Sequence, residues 1–121
     1  MSKKTTLVLG ASPKPERYSN IAVRRLVAAG HPVIAVGQHT GMIGDEPIHV
    51  EVPEGSTIDT VTLYLNAHNQ EVWIDRILSL RPKRIIFNPG AENPVLAEQA
   101  AAQGIEVVEG CTLVMLSVGT Y

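Results

Sequence analysis

The side chains best suited to chemistry lie in one segment, LVLGASPKPERYSN, at residues 7–20. A short apolar run ends at Gly10, which permits a tight turn and a close approach of a ligand to the backbone. A helical pattern follows, and the free N–H groups at the start of a helix favour an anion. The segment is compatible with a phosphate site and also with a strand-to-helix turn that binds nothing. Its hydroxyl and cationic side chains are Ser12, Lys14, Arg17 and Ser19.

The known phosphate-loop fingerprints exclude some nucleotides. A Walker A loop requires G-x-x-x-x-G-K-[ST], which is absent, and a dinucleotide turn requires G-x-G-x-x-G followed by an acid about twenty residues later. This loop has one glycine, Gly10, and the second apolar strand ends in Val36-Gly37-Gln38-His39 without an acid. NAD is therefore disfavoured, whereas NADP stays open because a cation could meet its 2′-phosphate.

Other reactive side chains do not form a catalytic set. Cys111 follows Gly110 near a predicted helix start, a position at which a thiol could react. Burial is the norm for a free cysteine, which favours a packing role. No nucleophile, base and orienting group occur together, and the four histidines lack ligand-like spacing. The sequence therefore predicts no catalytic residue and no metal site.

Short apolar runs alternate with amphipathic segments along the chain, which predicts an α/β fold with a mainly parallel sheet. Residues 37–53 are rich in turns, with a short strand near 48–52. A cap at Ser19 or Asn20 and a stop at Gly30 bound the first helix, and Asn93 caps the third. The predicted strands are residues 5–9, 32–36, 58–65, 84–87 and 105–108, and the predicted helices are 20–29, 66–80, 94–104 and 110–117.

This alternation predicts a single domain, residues 1–121, with a Rossmann-like, doubly wound, three-layer sandwich. Its five-stranded sheet has the expected order 3-2-1-4-5. Ligands of such sheets lie beyond the carboxyl ends of the strands. The expected position is the switch point between the first and fourth strands, where residues 10–19, 37–40, 66–68 and 88–93 meet.

Composition narrows the functional classes. The chain has 121 residues, a net charge of −2 and a pI near 6.0, so no general basic field attracts nucleic acid. The apolar runs are too short to cross a membrane, and no secretory signal is recognisable. A single cysteine fits the reducing cytoplasm, the expected compartment. Residues 114–116 are compatible with a core segment or with a homodimer interface.

Four stretches of the chain resemble one family. VLGASPKPERYSN, GHPVIAVG, MIGDEPIHVEVPEGSTIDTVTLYL and RPKRIIFNPGAENPVLAEQAAAQGIEVVEGCTLVML follow the order of elements in the small stand-alone CoA-binding proteins. These proteins have a Rossmann-like domain related to the CoA-binding domain of the succinyl-CoA synthetase α-subunit. The resemblance covers roughly residues 5–117. The chain departs from the family pattern at 37–39, in place of Asn-Pro, and at 88–90, in place of a loop with Gln before Gly.

The resemblance implies a ligand, coenzyme A or an acyl-CoA, bound without catalysis by this chain. The alternatives are a small enzyme that binds NADP or another nucleotide, as an oxidoreductase or in acyl transfer by Cys111, and an interaction protein without a ligand. The implied phosphate contacts are Gly10, Ala11, Ser12, Lys14, Arg17, Tyr18 and Ser19, with Asn20 beside them. The implied contacts with the rest of the ligand are Val36 and Gly37 at the adenosine, Asn66 in the loop after the third strand, and Asn88, Pro89 and Gly90 further along.

Overall fold

The computed structural model describes residues 3–121 and contains one seven-stranded sheet with helices on both faces. Each strand is only three or four residues long, and the four central strands are almost entirely buried. The strands are β1 Thr6–Leu9, β2 Val33–Val36, β3 Gly41–Ile43, β4 Glu46–His49, β5 Thr60–Leu63, β6 Arg84–Phe87 and β7 Glu106–Glu109.

Five helices connect or flank these strands. The predicted helix over 66–80 is interrupted, because a 3-10 turn at Glu71–Trp73 separates two short helices. The helices are α1 Tyr18–Ala28, α2 Ala67–Gln70, α3 Ile74–Ser79, α4 Pro94–Ala102 and α5 Thr112–Val118.

The strand order is β3-β4-β2-β1-β5-β6-β7, and all neighbours are parallel except β3 and β4. The expected α/β class with a mainly parallel sheet is therefore confirmed. Two details were wrong. The sheet has seven strands rather than five, because the turn-rich segment forms an antiparallel hairpin, β3–β4, at the edge. The predicted third strand, now β5, lies beside β1 instead of beyond β2, so the order 3-2-1-4-5 is also wrong.

Successive side chains of the strands pack alternately into two separate hydrophobic cores, one on each face of the sheet. Leu7 and Leu9 of β1 face a cluster that includes Ile77 of α3 and Leu96 of α4. Val8, between them, faces a second cluster on the opposite side, which α1 and α5 cover. Because successive side chains of a strand point to opposite faces, the apolar run of β1 indicates a strand buried on both sides.

Local capping fixes some helix ends as expected. The side chains of Asn66 and Asn93 accept hydrogen bonds from Asn69 N (2.9 Å) and Leu96 N (3.3 Å), which caps α2 and α4. Gly30, with φ +87°, ends α1 through a bond from its N–H to Val27 O. The expected cap at Ser19 or Asn20 was wrong, since α1 already begins at Tyr18 and has Arg17 at its N-cap.

The amino edge of the sheet is closed by Tyr121. Its hydroxyl is hydrogen-bonded to Thr6, and its carbonyl oxygen accepts from Lys4 Nζ and from Arg84 Nη1 at 2.8 Å. The Arg84 guanidinium also lies 4.4 Å from the centre of the Tyr121 ring. His31 lies beside the same ring, and its Nδ1 accepts from Lys4 N at 3.0 Å. Polar side chains thus fill the amino edge, opposite the edge where ligands of this architecture bind.

Candidate functional site

The switch point of the sheet lies between β1 and β5, not between the first and fourth predicted strands. From β1 the chain winds outward through β2 and the hairpin, then returns to the other side of β1 at β5. The loops after β1 and β5, which contain Gly10 and Asn66, therefore meet at the switch point. The loop containing Asn88, Pro89 and Gly90 follows β6, one strand further away.

The turn after β1 packs tightly against both neighbouring strands. Gly10 has φ +99°, and a Cβ there would lie 3.0 Å from the backbone carbon of Tyr64 after β5. A Cβ on Gly37 after β2 would lie closer than 3.0 Å to Ala11 O, a separation that real structures essentially never show. Val36 O accepts from both Gly10 N and Ala11 N, each at 2.9 Å. The N–H groups of Gly10 and Ala11 are therefore already bonded to protein in this conformation.

The loop at residues 12–17 presents two cations to solvent. Its backbone is fixed from within, because Lys14 N donates to Ser12 Oγ at 3.2 Å and Arg17 N donates to Lys14 O at 3.1 Å. The side chains of Lys14 and Arg17 are exposed. Neither cation is bonded to protein acceptors within residues 3–121, so both are free to meet an anion.

The amino end of α1 follows this loop and is open. Among the described residues no side chain caps the helix, and its first turn contains no acidic residue. Its first bond runs from Ile21 N to Arg17 O at 3.1 Å, and the N–H groups of Tyr18, Ser19 and Asn20 have no acceptor within the part of the chain described. The side chain of Tyr18 is 72% exposed beside them. Unbonded N–H groups and the helix dipole make this end attractive to negative charge.

Asn20, one of the predicted ligand contacts, is engaged by the protein itself. Its side chain is 3% exposed; Nδ2 donates to Ser12 O at 2.9 Å, and Oδ1 accepts from Arg24 Nε at 2.8 Å. Arg24 Nη2 donates in turn to Pro15 O at 2.9 Å. These bonds attach both ends of the segment Ser12–Pro15 to α1. Arg24 was not among the predicted contacts; its separation of four residues from Asn20 on a helix is the signal that could have identified it.

Asn88 is likewise a buried structural group rather than an exposed one. Its Nδ2 donates to Thr62 Oγ1 (2.7 Å) and Leu63 O (2.9 Å), and its Oδ1 accepts from Thr112 N (2.9 Å). Asn88 therefore joins β5, β6 and the start of α5. Pro89 and Gly90 are exposed next to it.

Gln70 holds the loops after β5 and β6 together, and nothing in its sequence position indicated this role. The side chain is fully buried, and Nε2 donates to Leu65 O and Ala91 O, both at 2.7 Å. Its Oε1 accepts from Asn93 Nδ2 at 2.9 Å. Both polar atoms of the Gln70 side chain are thus hydrogen-bonded, and they hold together the loops at the carboxyl ends of β5 and β6.

Cys111 is half-buried at the N-cap of α5 and forms no side-chain capping bond. The Tyr64 hydroxyl is buried near it and has no hydrogen-bond partner within residues 3–121. Burial, and then the nearby Cys111, raise the pKa of Tyr64 above its usual value of 10.0. Cys111 therefore lies near an un-ionised phenol, and within residues 3–121 no general base is hydrogen-bonded to the Cys111 side chain.

Two surface depressions lie away from these residues. One, of about 450 Å³, is lined by Asp75, Leu78, Ser79, Arg81 and Gln103; the other, of about 460 Å³, is lined by Val50, Glu51, Val52, Val72, Trp73 and Arg76. In the described part of the chain no group of three or more His, Cys, Asp or Glu side chains could hold a metal ion. Among residues 3–121 no helix is both long enough and apolar enough to cross a membrane.

Comparison with known proteins gives one family and several structures of the same fold. A family model described as a CoA binding domain matches residues 4–117. A crystal structure of an uncharacterized protein is 50% identical, superposes with a TM-score of 0.95, and is covered completely by this chain, as this chain is by it. Among curated proteins, none matches the sequence significantly.

Two further solved structures are more distant and show the fold alone. Prb, a protein redesigned for binding, is 23% identical with a TM-score of 0.86; the match covers 98% of this chain and 84% of that one. A hypothetical protein from Pyrococcus horikoshii OT3 is 24% identical with a TM-score of 0.84, covering 96% of this chain and 82% of that one.

Proposed function

Since this chain belongs to the family of CoA binding domains, we propose that it binds coenzyme A or an acyl-CoA at the carboxyl edge of β1, β2 and β5. The observation that carries the location is the open amino end of α1, which follows a loop with two free cations, Lys14 and Arg17. An N-terminus with unbonded N–H groups binds phosphate oxygens, and arginine can hold a phosphate through two parallel bonds. The diphosphate of CoA supplies the matching charge.

The remaining predicted contacts take different roles in this proposal. Gly10, Ala11 and Gly37 shape the floor, because their close backbone packing leaves no side chain between the turn and the ends of the strands. Val36 is completely buried, so it supports this floor from below. Side chains and the α1 N–H groups, rather than the amides of Gly10 and Ala11, hold the phosphates. The proposed direct contacts are the residues Ser12, Lys14, Arg17, Tyr18, Asn66, Pro89 and Gly90. Ser19 contributes its backbone N–H, because the residue is only 4% exposed.

Isothermal titration calorimetry with CoA, acetyl-CoA, NADP and NAD tests the ligand. Binding of CoA species and not of the dinucleotides is expected, and titration with 3′,5′-ADP and with 4′-phosphopantetheine divides the affinity between the two halves of CoA. A protein that binds NADP and no CoA species contradicts the proposal and favours the oxidoreductase alternative. A protein that binds none of these compounds favours the interaction protein.

A pair of double variants tests the location. Lys14→Ala with Arg17→Ala removes two exposed cations from the loop, and we expect CoA affinity to fall about 30-fold, since each charge-assisted bond contributes about 1 kcal/mol or more. Arg25→Ala with Lys83→Ala is the control: both side chains are exposed, neither is hydrogen-bonded within residues 3–121, and the net charge changes equally. Equal affinities of the two double variants would place the phosphates elsewhere.

The proposal assigns binding and no reaction to this chain. Acyl transfer through Cys111 requires a reactive thiol, which alkylation by iodoacetamide at neutral pH measures in the folded protein. Slow alkylation relative to a denatured sample supports binding alone, whereas rapid alkylation favours the acyl-transfer alternative.

Two further parts of the proposal concern the setting of the protein. The cytoplasm remains the proposed compartment, on the basis of the single cysteine. A homodimer through α5 remains a prediction: Val114 is 56% exposed, whereas Leu116 packs against the core of the α1 face. Light scattering after size-exclusion chromatography measures the oligomeric state.

A further inference from the structure

A chain of hydrogen bonds connects α1 with the loop that precedes it. Asn20 Nδ2 donates to Ser12 O, Arg24 Nε donates to Asn20 Oδ1, and Arg24 Nη2 donates to Pro15 O, at 2.9, 2.8 and 2.9 Å. We call this set of bonds the loop bracket. It encloses the segment 12–15 by bonding to the carbonyl groups at both ends.

The bracket matters because the enclosed segment belongs to no strand or helix. Residues 12–15 lie between the end of β1 and the start of α1. Inside the bracket Lys14 is held only by two local bonds, from its N–H to Ser12 Oγ and from Arg17 N–H to its carbonyl. Two prolines, at 13 and 15, limit the backbone further. Removing the bracket therefore leaves the backbone of Lys14 with local hydrogen bonds alone among the described residues.

Arg24 is the residue of the bracket that bonds both to α1 and to the loop. It is exposed, so the core does not need it, and its planar guanidinium reaches two acceptors that lie on different segments. We propose that Arg24 is a positioning residue for the phosphate loop, which orders Lys14 and Arg17 before the ligand arrives. Its effect on affinity rests on the proposed CoA site; its effect on the order of the loop does not. A loop that is already ordered loses less entropy on binding.

Three variants at two adjacent positions separate geometry from charge. Arg24→Met removes the guanidinium, Arg24→Lys keeps the charge but cannot span both acceptors, and Arg25→Met removes the same charge from an exposed arginine that is not hydrogen-bonded within residues 3–121. We expect both Arg24 variants to bind CoA about 5-fold more weakly, and Arg25→Met less than about 2-fold. Arg24→Met leaves Oδ1 of the buried Asn20 without its donor, so a modest decrease in melting temperature is expected for that variant, whereas Arg25→Met should melt like the unchanged protein.

Coupling to the loop distinguishes positioning from direct contact. If Arg24 acts by placing Lys14 and Arg17, the effect of Arg24→Met should largely disappear in the Lys14→Ala, Arg17→Ala background. An Arg24 that touches phosphate itself should instead give additive losses when the three substitutions are combined. Additive losses, or equal affinities of Arg24→Met and Arg25→Met, would overturn the proposal.

A measurement without ligand keeps this inference separate from the proposed function. Amide hydrogen exchange at Lys14 and Arg17, whose N–H groups bond within the loop, should be about 10-fold faster in Arg24→Met than in Arg25→Met. Faster exchange in a protein that fails to bind CoA would refute the CoA site but not the ordering of the loop. Unchanged exchange would refute the ordering, whether or not CoA binds.

Discussion

The contact between the turn after β1 and the end of β2 makes Gly37 a sensitive position. Replacing Gly37 with alanine adds one methyl group, which would lie closer than 3.0 Å to Ala11 O, 3.2 Å from Ala11 C and 3.3 Å from Ile48 Cγ2. Backbone atoms lie on one side of the methyl group and a core side chain lies on the other, so a small shift of the methyl group cannot relieve the contact. The strands or the turn must therefore separate.

The size of this effect follows from the packing. Inserting a methyl group into a close-packed region costs about 1–3 kcal/mol, and here the clash is with a backbone carbonyl, so we expect about 2 kcal/mol. For a chain of this length that corresponds to a decrease of about 8 °C in melting temperature. Because Ala11 leads directly into the proposed phosphate loop, CoA affinity should fall as well.

Thermal unfolding followed by circular dichroism measures the change, with Gly110→Ala as the control. A Cβ at Gly110 has an ordinary 3.6 Å contact with Val108 Cγ1, and its backbone is not left-handed. Both substitutions reduce the flexibility of the unfolded chain by the same amount. If Gly37→Ala melts within about 1 °C of Gly110→Ala, the close approach of β2 to the turn is not as described.

Three further predictions concern polar side chains that are wholly or partly buried. Burial and nearby cations lower the pKa of His31 below 6.5, so the unfolded state binds more protons than the folded state near that pH. The midpoint of urea unfolding should therefore decrease as the pH falls below about 6.5. A midpoint that is independent of pH, or the same decrease in His31→Gln, would contradict this. Gln70→Met leaves two buried carbonyl groups without donors and should cost about 3 kcal/mol in a denaturant titration, and an equal effect of the exposed Gln99→Met would refute that reasoning. Tyr64→Phe removes a buried hydroxyl without a partner and should stabilise the folded protein by about 1 kcal/mol. Tyr121→Phe removes a hydrogen-bonded hydroxyl and should destabilise the folded protein by a similar amount. The reverse order of melting temperatures would show that the two environments are misassigned.

The sequence predicted most elements because their signals are local. Apolar runs of four residues marked the buried strands, Asn93 and Pro94 marked the start of α4, and Gly30 marked the end of α1. The hairpin β3–β4 was missed as a pair of strands because it is short, lies at the sheet edge, and carries Pro47 opposite Met42. Edge strands need less apolar alternation than buried ones, so their pattern is weak.

The strand order could not be read from periodicity. An alternation of strands and helices is satisfied equally when the third strand follows β2 outward or returns to β1. What selects the observed order is packing between distant backbones, including the contact of Gly10 with Tyr64 and Leu65. A glycine in the sequence indicates that another part of the protein or a ligand approaches its backbone closely, but it does not indicate which segment does so. The loops after β1 and β6 were expected to be adjacent at the switch point, whereas the structure places β5 beside β1 and β6 one strand further away.

The arrangement of donors around the turn has a consequence for how CoA affinity should respond to salt. In a glycine-rich nucleotide loop, backbone amides are the main phosphate donors. Here Val36 O accepts from those of Gly10 and Ala11, so in the proposed site two exposed cations and the end of α1 supply the attraction. Interactions of exposed charges are screened by added salt far more than bonds from enclosed amides. CoA affinity should therefore decrease steeply between low and physiological ionic strength. This decrease should be smaller in the Lys14→Ala, Arg17→Ala protein, which lacks both cations. An affinity that is independent of salt would mean that other backbone amides form the site.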